Sequence, residues 1–541
     1  MMIVMAYDNR EFPKGVREYG PAEVERTYIE MRDGIRLYAE VFRPDSPGPF
    51  PTILSRNPYH SSDIPPHTRE KNTHKDYVSH GYAVVEAEVR GTGISEGRFL
   101  FLKNDGNDGC DTIEWILEQP WCDGNVGMMG LSYLSMDQFA VAGQNPPGLK
   151  AFFAGVGGAD IYSDMVYPGG IFATLAMNWA QRHMGRLISN HVPLLRNVSG
   201  IVDPRIYPMQ EKVHGERIRV GYEHLLRGKL FDTTYVTDWI EHPTDGEYWR
   251  ELSPYRFFPD IKTPVYCFGG WFDLFTGGVI RSFQEIDAPK KLLMGPWFHG
   301  QSDGIDLTRE KIRWFDYWLK GEDTGIMDEP PVLYYLMGRG EWKAADGWPP
   351  RTREVRYYLR SGNGVAEHSL NDGILTTDPA DDGVDPIAHD PDDPIPSIAF
   401  RNADIRRGEQ RMLTYTTDPL EEEIEVVGSI GVHLSTSTSA ADVDWTVKLT
   451  EVLQEGESIL LCSSALRGSH HLSHESPEEL FPGNIYDMMI TLSPTCNAFG
   501  VGNRIRISIG NSDFPLLAPN PLPSENLLHH RGSFVSIPVA N

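Results

Sequence analysis

From about residue 25 to residue 155 the apolar positions of the chain keep switching period. "IRLYAEVFRP" (35–44) alternates polar and apolar, as a half-buried strand does. "PFPTILSRNPY" (49–59) and "GYAVVEAEVRGTG" (81–93) are apolar runs that end in turn residues, which predicts buried strands. "GCDTIEWILEQP" (109–120) spaces Ile113, Ile116 and Leu117 along one helix face, and Pro120 stops it. "GNVGMMGLS" (124–132) predicts a short strand, and "MDQFAVAG" (136–143) a helix directly after it. Strands and helices taking turns in this way predict a mostly parallel sheet, an α/β architecture.

The pattern changes over 156–254, where aromatics, Met and charged residues mix at helical spacing with few β-branched runs, predicting a helical insertion or cap. It returns to strand and helix at "TPVYCFGGWFD" (263–273), "VIRSFQEI" (279–286) and "KLLMGPWFHG" (291–300). The helix "TREKIRWFDYWLKG" (308–321) follows, with Ile312, Phe315 and Leu319 on one apolar stripe. From 329 to 541 short strands such as "VLYYLM", "VRYYLR", "IGVHLSTS", "DWTVKLTEV", "RIRISIG" and "SFVSIPV" are separated by Gly, Pro and Asp, which predicts a β-sandwich of jelly-roll type. Four segments result: 1–155 and 255–328 as two parts of one α/β domain, 156–254 as the cap, and 329–541 as the C-terminal β domain. Within the last, the Asp- and Pro-rich Thr376–Pro396 reads as a calcium site, or else as a solvated loop or a dock against another domain. The carboxylates lack EF-hand spacing, which favours the second reading.

With 541 residues the chain is too long for one core, in line with that division. A formal net charge of −27 argues against nucleic acid and against anionic membranes as partners. The start, "MMIVMAYDNREFPKG", lacks the basic and long apolar regions of a secretory signal, and no apolar run reaches the length of a membrane span. Five widely spaced cysteines without a C-x-x-C pair read as reduced thiols rather than a zinc site. Together these predict a cytoplasmic protein.

Two serines compete for a nucleophile's place. "GISEG" (93–97) matches the G-x-S-x-G elbow letter for letter, whereas "GMMGLSYLS" (127–135) has Ser135 where the last glycine belongs. An elbow needs a strand, a sharp turn and a helix. Ser132 has all three, while Ser95 is followed by "RFLFLKNDG", which is no amphipathic helix. Ser132 is therefore the candidate nucleophile, against the plainer reading of a helix N-cap. A serine needs a base, and hydrolases of this architecture supply acid and histidine in that order after it. Asp273 and His299 stand at the ends of two successive later strands, although singly each also fits a helix cap or a loop residue. The Tyr133 N–H follows the nucleophile and suits an oxyanion donor; Tyr59, at the end of "TILSRNPY", offers a hydroxyl as the second, or simply packs there.

These motifs resemble the family of cocaine esterase, X-prolyl dipeptidyl-peptidases, α-amino-acid ester hydrolases and glutaryl-type cephalosporin acylases. "MRDGIRLYAEVFRP" resembles the family's opening strand pair, "NPYH" its oxyanion tyrosine motif and "EVRGTGISEGRF" its glycine loop. "QPWCDGNVGMMGLSY" resembles its elbow, "GGWFD" its acid motif, "GPWFHG" its histidine motif and "NRIRISIGNSDFPLLAPN" a jelly-roll segment. The resemblance implies an α/β-hydrolase sheet, a helical cap and a C-terminal jelly roll, and a serine esterase or amidase without a cofactor. It carries nucleophile, acid and base onto Ser132, Asp273 and His299, and the oxyanion donors onto Tyr59 and Tyr133. A homodimer is the assembly it implies. Ser135 departs from the family's glycine.

The substrate is expected to be a small-molecule ester or amide. Trp179, Phe172 and Tyr167 are candidates for an apolar acyl site, and Asp160 and Asp164 for an ammonium site; cap core and solvated acids are the alternatives. An acyltransferase with the same triad and a non-catalytic binding protein are the other two functions weighed. No sequence feature favours the latter.

Overall fold

The computed structural model describes residues 20, 24–59, 73–177, 179–180, 235–362, 369–397 and 403–540. The stretch 1–15, His60 of the "NPYH" motif and most of the expected cap, 181–234, lie outside the described residues.

Ten strands build the first sheet: β1 (Glu25–Glu30), β2 (Arg36–Phe42), β3 (Phe50–Asn57), β4 (Ala83–Glu88), β5 (Cys122–Leu131), β6 (Leu149–Gly155), β7 (Val265–Gly270), β8 (Lys290–Gly295), β9 (Val332–Leu336) and β10 (Glu341–Ala345). Their order is β1-β2-β4-β3-β5-β6-β7-β8-β9-β10. β1, β2 and β4 pair antiparallel, every neighbouring pair from β4 to β9 is parallel, and β10 closes antiparallel. Successive side chains of the central strands serve opposite faces. Leu54, Val85, Phe152 and Leu292 pack with Ile113, Phe139 and Ile280 of helices Asp105–Leu117, Tyr133–Ala142 and Thr276–Glu285. Their neighbours Ile53, Val84, Phe153 and Leu293 pack with Tyr77 of helix Thr73–Ser79 and with Ile312 and Phe315 of helix Leu307–Phe315. Helices on both faces explain why the strands are apolar at nearly every position. This is the α/β-hydrolase sheet the sequence predicts.

"VLYYLM", grouped by its sequence with the C-terminal domain, belongs instead to the first sheet as β9, with β10 behind it. Its Val332 and Leu333 register against Leu292 and Leu293 of β8. Alternating apolar residues suit either sheet, and only the distant partner decides between them. The described parts of the insertion 156–254 hold short helical turns at Tyr162–Val166, Pro168–Gly170, Tyr235–Glu241 and Glu247–Leu252.

The remaining strands, from Thr352–Arg360 onward, form a second, twelve-stranded sheet system, antiparallel except where Gly373–Thr376 meets Leu413–Thr416. Its longest strand, Ser524–Ala540, pairs with four others: Thr352–Arg360, Val384–His389, Ile424–Gly428 and Gly431–Thr438. The two sheets are joined through Met337, which donates its N–H to the Cys496 oxygen and accepts from the Ala498 N–H. One apolar cluster runs from Leu54 and Cys267 through Trp271 and Trp348 to Val426 and Ile507. All five cysteines are free thiols. No helix among the described residues is long and apolar enough to cross a membrane.

The Asp-rich segment 376–396 is neither free in solvent throughout nor docked on another domain: it packs within its own β domain. Its Asp381 and Asp385 hold the two ring nitrogens of the buried His530 on the long strand, Nδ1 to Asp381 Oδ1 and Nε2 to Asp385 Oδ2. Asp385 also accepts from the Tyr415 hydroxyl and from Asn371. No group of three or more His, Cys, Asp or Glu side chains suited to a metal ion occurs among the described residues. An imidazole facing a carboxylate on each nitrogen is doubly protonated. Burial opposes that charge, but the hydrogen bonds to Asp385 and Asp381 outweigh it and raise the His530 pKa. Against its own burial, Asp381 is held down at about 2 by His530 and by the N–H groups of Ser361 and Gly383.

Because the His530 pKa is raised by folding, its contribution is complete below the unfolded-state value of about 6.5 and fades as pH rises through the folded one. His530→Gln is expected to destabilise the protein by roughly 2–4 kcal/mol at pH 6 and by less at pH 9. Melting temperatures of both proteins at the two pH values test this; an equal deficit at both would show that His530 is not the charged partner.

Candidate active site

β5 runs to Leu131, and Ser132 then adopts φ 63° and ψ −125° before helix Tyr133–Ala142 begins. The turn is pinned by the Ser132 N–H to the Gly155 oxygen on β6, 2.9 Å, and by the Ser135 N–H to the Ser132 oxygen, 2.9 Å. Two close approaches make it feasible. A methyl group on Gly130 would lie 2.3 Å from Leu134 Cβ, so the helix can follow the strand this sharply only over a glycine. Ser135, where the elbow pattern asks for a second glycine, faces Gly157: a methyl there would lie 2.6 Å from Ser135 Oγ and 2.8 Å from its Cβ. The missing bulk has moved to the neighbouring loop, and the elbow keeps its geometry. Ser132 stands at the first turn of the helix, where the dipole is positive.

The acid and the histidine arrive on two loops that are zipped together. The Trp271 N–H donates to the Gly295 oxygen at 2.8 Å and the Phe272 N–H to the Trp297 oxygen at 3.1 Å, while the Phe272 and Phe298 rings stack. The Trp271 indole N–H is tied to the Tyr335 oxygen of β9, and its ring packs on Trp348. Asp273 is buried, with Oδ1 accepting from the Phe275 N–H at 2.7 Å and Oδ2 lying 2.8 Å from His299 Nδ1. His299 Nε2 lies 2.9 Å from Ser132 Oγ, on the exposed side of the ring. Phe275 meets the imidazole edge to face. The three residues named from strand ends therefore form one hydrogen-bonded line from a buried carboxylate to an accessible hydroxyl.

Tyr133 turns its ring into the interior, where its hydroxyl donates to Asp105 Oδ2 at 2.8 Å and burial pushes its pKa well up. Its N–H begins the helix beside Ser132. Tyr59, half-buried, continues from β3, its N–H bound to Asn57 Oδ1. The Trp179 indole N–H donates to the Tyr59 hydroxyl at 3.3 Å, and the Trp179 ring lies nearly parallel to that of Tyr133, 12° between planes. Tyr59, Trp179 and Tyr133 are thus one aromatic group beside the nucleophile.

The other candidates are placed differently. Ser95 is buried in its glycine loop, accepting from the Tyr38 N–H of β2, and stands apart from the Asp273–His299 line. Tyr167 and Phe172 lie in the interior; the Tyr167 hydroxyl donates to the Trp239 oxygen and its ring stacks on Tyr162. Asp160 and Asp164 brace the turn they belong to. Asp164 Oδ2 accepts the N–H groups of Ala159 and Asp160, Asp160 Oδ1 accepts that of Tyr162, and Arg281 lies 3.7 Å from Asp160. Burial, then the Asp160 charge, push the Asp164 pKa up to about 6. Arg56, Asp105 and Asp137, buried beneath the elbow, were not singled out from the sequence. The available signal is Arg56 itself, the one charge in a strand whose run Phe50–Leu54 is mainly apolar, which requires a partner if buried.

The Ser135–Gly157 contact predicts an epistatic pair. Gly157→Ala alone should lower any activity that depends on Ser132 at least tenfold and reduce stability by about 1–3 kcal/mol through overpacking. Adding Ser135→Gly should restore most of both. Four-point measurements of kcat/KM and melting temperature decide it; no rescue in the double variant would mean the contact does not support the elbow.

Comparisons with known proteins give the family. The family described as X-Pro dipeptidyl-peptidase (S15 family) matches residues 33–301, and the X-Pro dipeptidyl-peptidase C-terminal non-catalytic domain matches 324–534. The cocaine esterase of Rhodococcus sp. (strain MB1 Bresler) is 32% identical over 519 residues, 90% of each chain. A solved α-amino acid ester hydrolase superposes with a TM-score of 0.80 at 21% identity over 98% of both chains. An aminopeptidase from a marine sediment archaeon, Thaumarchaeota archaeon, does so with 0.80 at 20% identity over 99% of this chain and 98% of its own. The chain belongs to the S15 family of serine hydrolases, the family of cocaine esterase and the X-Pro dipeptidyl-peptidases, and has its α/β-hydrolase fold with a C-terminal β-rich domain.

Proposed function

We propose that the protein hydrolyses a small-molecule carboxylic ester or amide through an acyl-enzyme on Ser132. The observation that carries this reading is the line Asp273–His299–Ser132, with hydrogen-bond distances of 2.8 and 2.9 Å. His299 Nε2 takes the Ser132 proton as Oγ attacks the carbonyl carbon, and gives it to the leaving group as the tetrahedral intermediate collapses. Asp273, accepting from Nδ1–H, fixes the tautomer and stabilises the imidazolium. The Tyr133 N–H and the Tyr59 hydroxyl donate to the oxyanion; a Tyr59 oxygen that already accepts from Trp179 keeps its proton for that purpose. Water, activated by the same histidine, releases the acid. An ester is the favoured substrate, since the relative at 32% identity is an esterase, and the half-buried Trp179 suits an apolar acyl group.

Intact-mass labelling with a fluorophosphonate is expected to give one adduct, mapped to the peptide containing Ser132 and absent in Ser132→Ala. No adduct, or one on Ser95, would overturn the assignment.

A further inference from the structure

Arg56 lies on β3, three residues before Tyr59, and its guanidinium is buried. Its Nη1 donates to the Asp105 main-chain oxygen at 2.7 Å and to Asp105 Oδ1 at 3.1 Å, and lies 3.6 Å from Asp137 Oδ2. The other Asp105 oxygen receives the Tyr133 hydroxyl, which in turn accepts from the Leu102 N–H. Arg56, Asp105, Asp137 and Tyr133 are all buried. Burial pushes the Asp137 carboxyl well up, favouring its neutral form. Asp105 is raised as well, though Arg56 and the Tyr133 hydroxyl both favour its anion, which makes it the counter-charge of Arg56.

The aromatic ring sits among Phe99, Phe101 and Trp179. Its buried hydroxyl requires partners and has them in Asp105 and the Leu102 N–H. What the hydroxyl adds is direction. It fixes the ring, and with it the first residue of the helix, whose N–H directly follows Ser132 in the chain. The same guanidinium sits on the strand that leads to Tyr59.

We propose that the Arg56–Asp105 pair positions both oxyanion donors: it aims the Tyr133 N–H through the Tyr133 hydroxyl, and holds Tyr59 in register through β3. This rests on the reading of Ser132 as nucleophile and of Tyr133 and Tyr59 as donors. Arg56 and Asp105 touch neither substrate nor reacting atoms; they are positioning residues. Donors act on charge that develops only as the tetrahedral intermediate forms, so misaiming them lowers kcat and leaves KM nearly unchanged.

The test uses the full chain with Tyr133→Phe, Asp105→Asn and the double variant, assayed with p-nitrophenyl acetate and with phenylboronic acid. The boron accepts the Ser132 oxygen and presents an oxygen to the donors, which makes it a probe of their alignment. Each single variant is expected to lower kcat and weaken phenylboronic acid by about tenfold or more with KM within twofold. The double variant should be no worse than Asp105→Asn, because the Tyr133 hydroxyl acts through Asp105, whose replacement also removes the charge opposite Arg56. If Asp105→Asn does not fold, Tyr133→Phe and Arg56→Lys carry the comparison. Unchanged kcat and boronate affinity, or a rise in KM alone, would overturn the proposal while the fluorophosphonate adduct on Ser132 kept the hydrolase reading intact. Absence of that adduct in the wild type would instead sink the hydrolase reading itself.

Discussion

Ser132 is held at φ 63°, a backbone setting that costs a residue with a side chain about 1–3 kcal/mol. The surrounding packing is arranged to offset that strain. β5 is clamped between β3 and β6 in parallel register, so its end cannot drift. Gly130 and Gly157 leave room for Leu134 and Ser135, so the helix can start one residue after the strand stops. The serine oxygen lies just past the C-terminal end of this central strand, within reach of His299.

The base is a problem of convergence between distant segments. Asp273 and His299 are 26 residues apart, and each is carried by a loop too short to find the other by chance. The backbone bonds Trp271 to Gly295 and Phe272 to Trp297 bind the two loops before either functional side chain is reached. Trp271 then packs on Trp348, after the last strand of the first sheet and before the second begins. The acid's position thus depends on packing shared by both sheets. A C-terminal domain described as non-catalytic still stands behind the catalytic geometry, through the apolar cluster that crosses the boundary.

Much of this was legible from the chain alone, and the exceptions have physical reasons. Ser132, Asp273 and His299 follow from strand ends, since a strand fixes where its next residues emerge. The "GISEG" decoy was rejected for want of a helix after it, and Ser95 indeed sits in a loop bound to β2. What compensates Ser135 was invisible, because Gly157 meets it only in three dimensions. β9 was assigned to the wrong sheet because alternation says that a strand is half-buried and not against what. Tyr167 and Phe172 illustrate the same ambiguity: aromatic residues near a site read alike whether they line a pocket or fill a core, and these two are interior. The Asp-rich segment, which suggests a solvated loop or a dock on another domain, is held within its own domain by a histidine some 145 residues further on, a distance no local pattern bridges.

The long strand Ser524–Ala540 has a consequence for how the molecule is made. It lies between partners drawn from 352 to 438 and bonds to four of them. During synthesis those four strands leave the ribosome well before the strand that unites them, with apolar faces and open edges toward solvent. The β-rich domain can close only after this stretch has emerged. Until then the junction at Met337, Trp271 and Trp348 lacks its far side, and Asp273 is held from one direction only. The packing behind Asp273 is therefore complete only once this strand is in place.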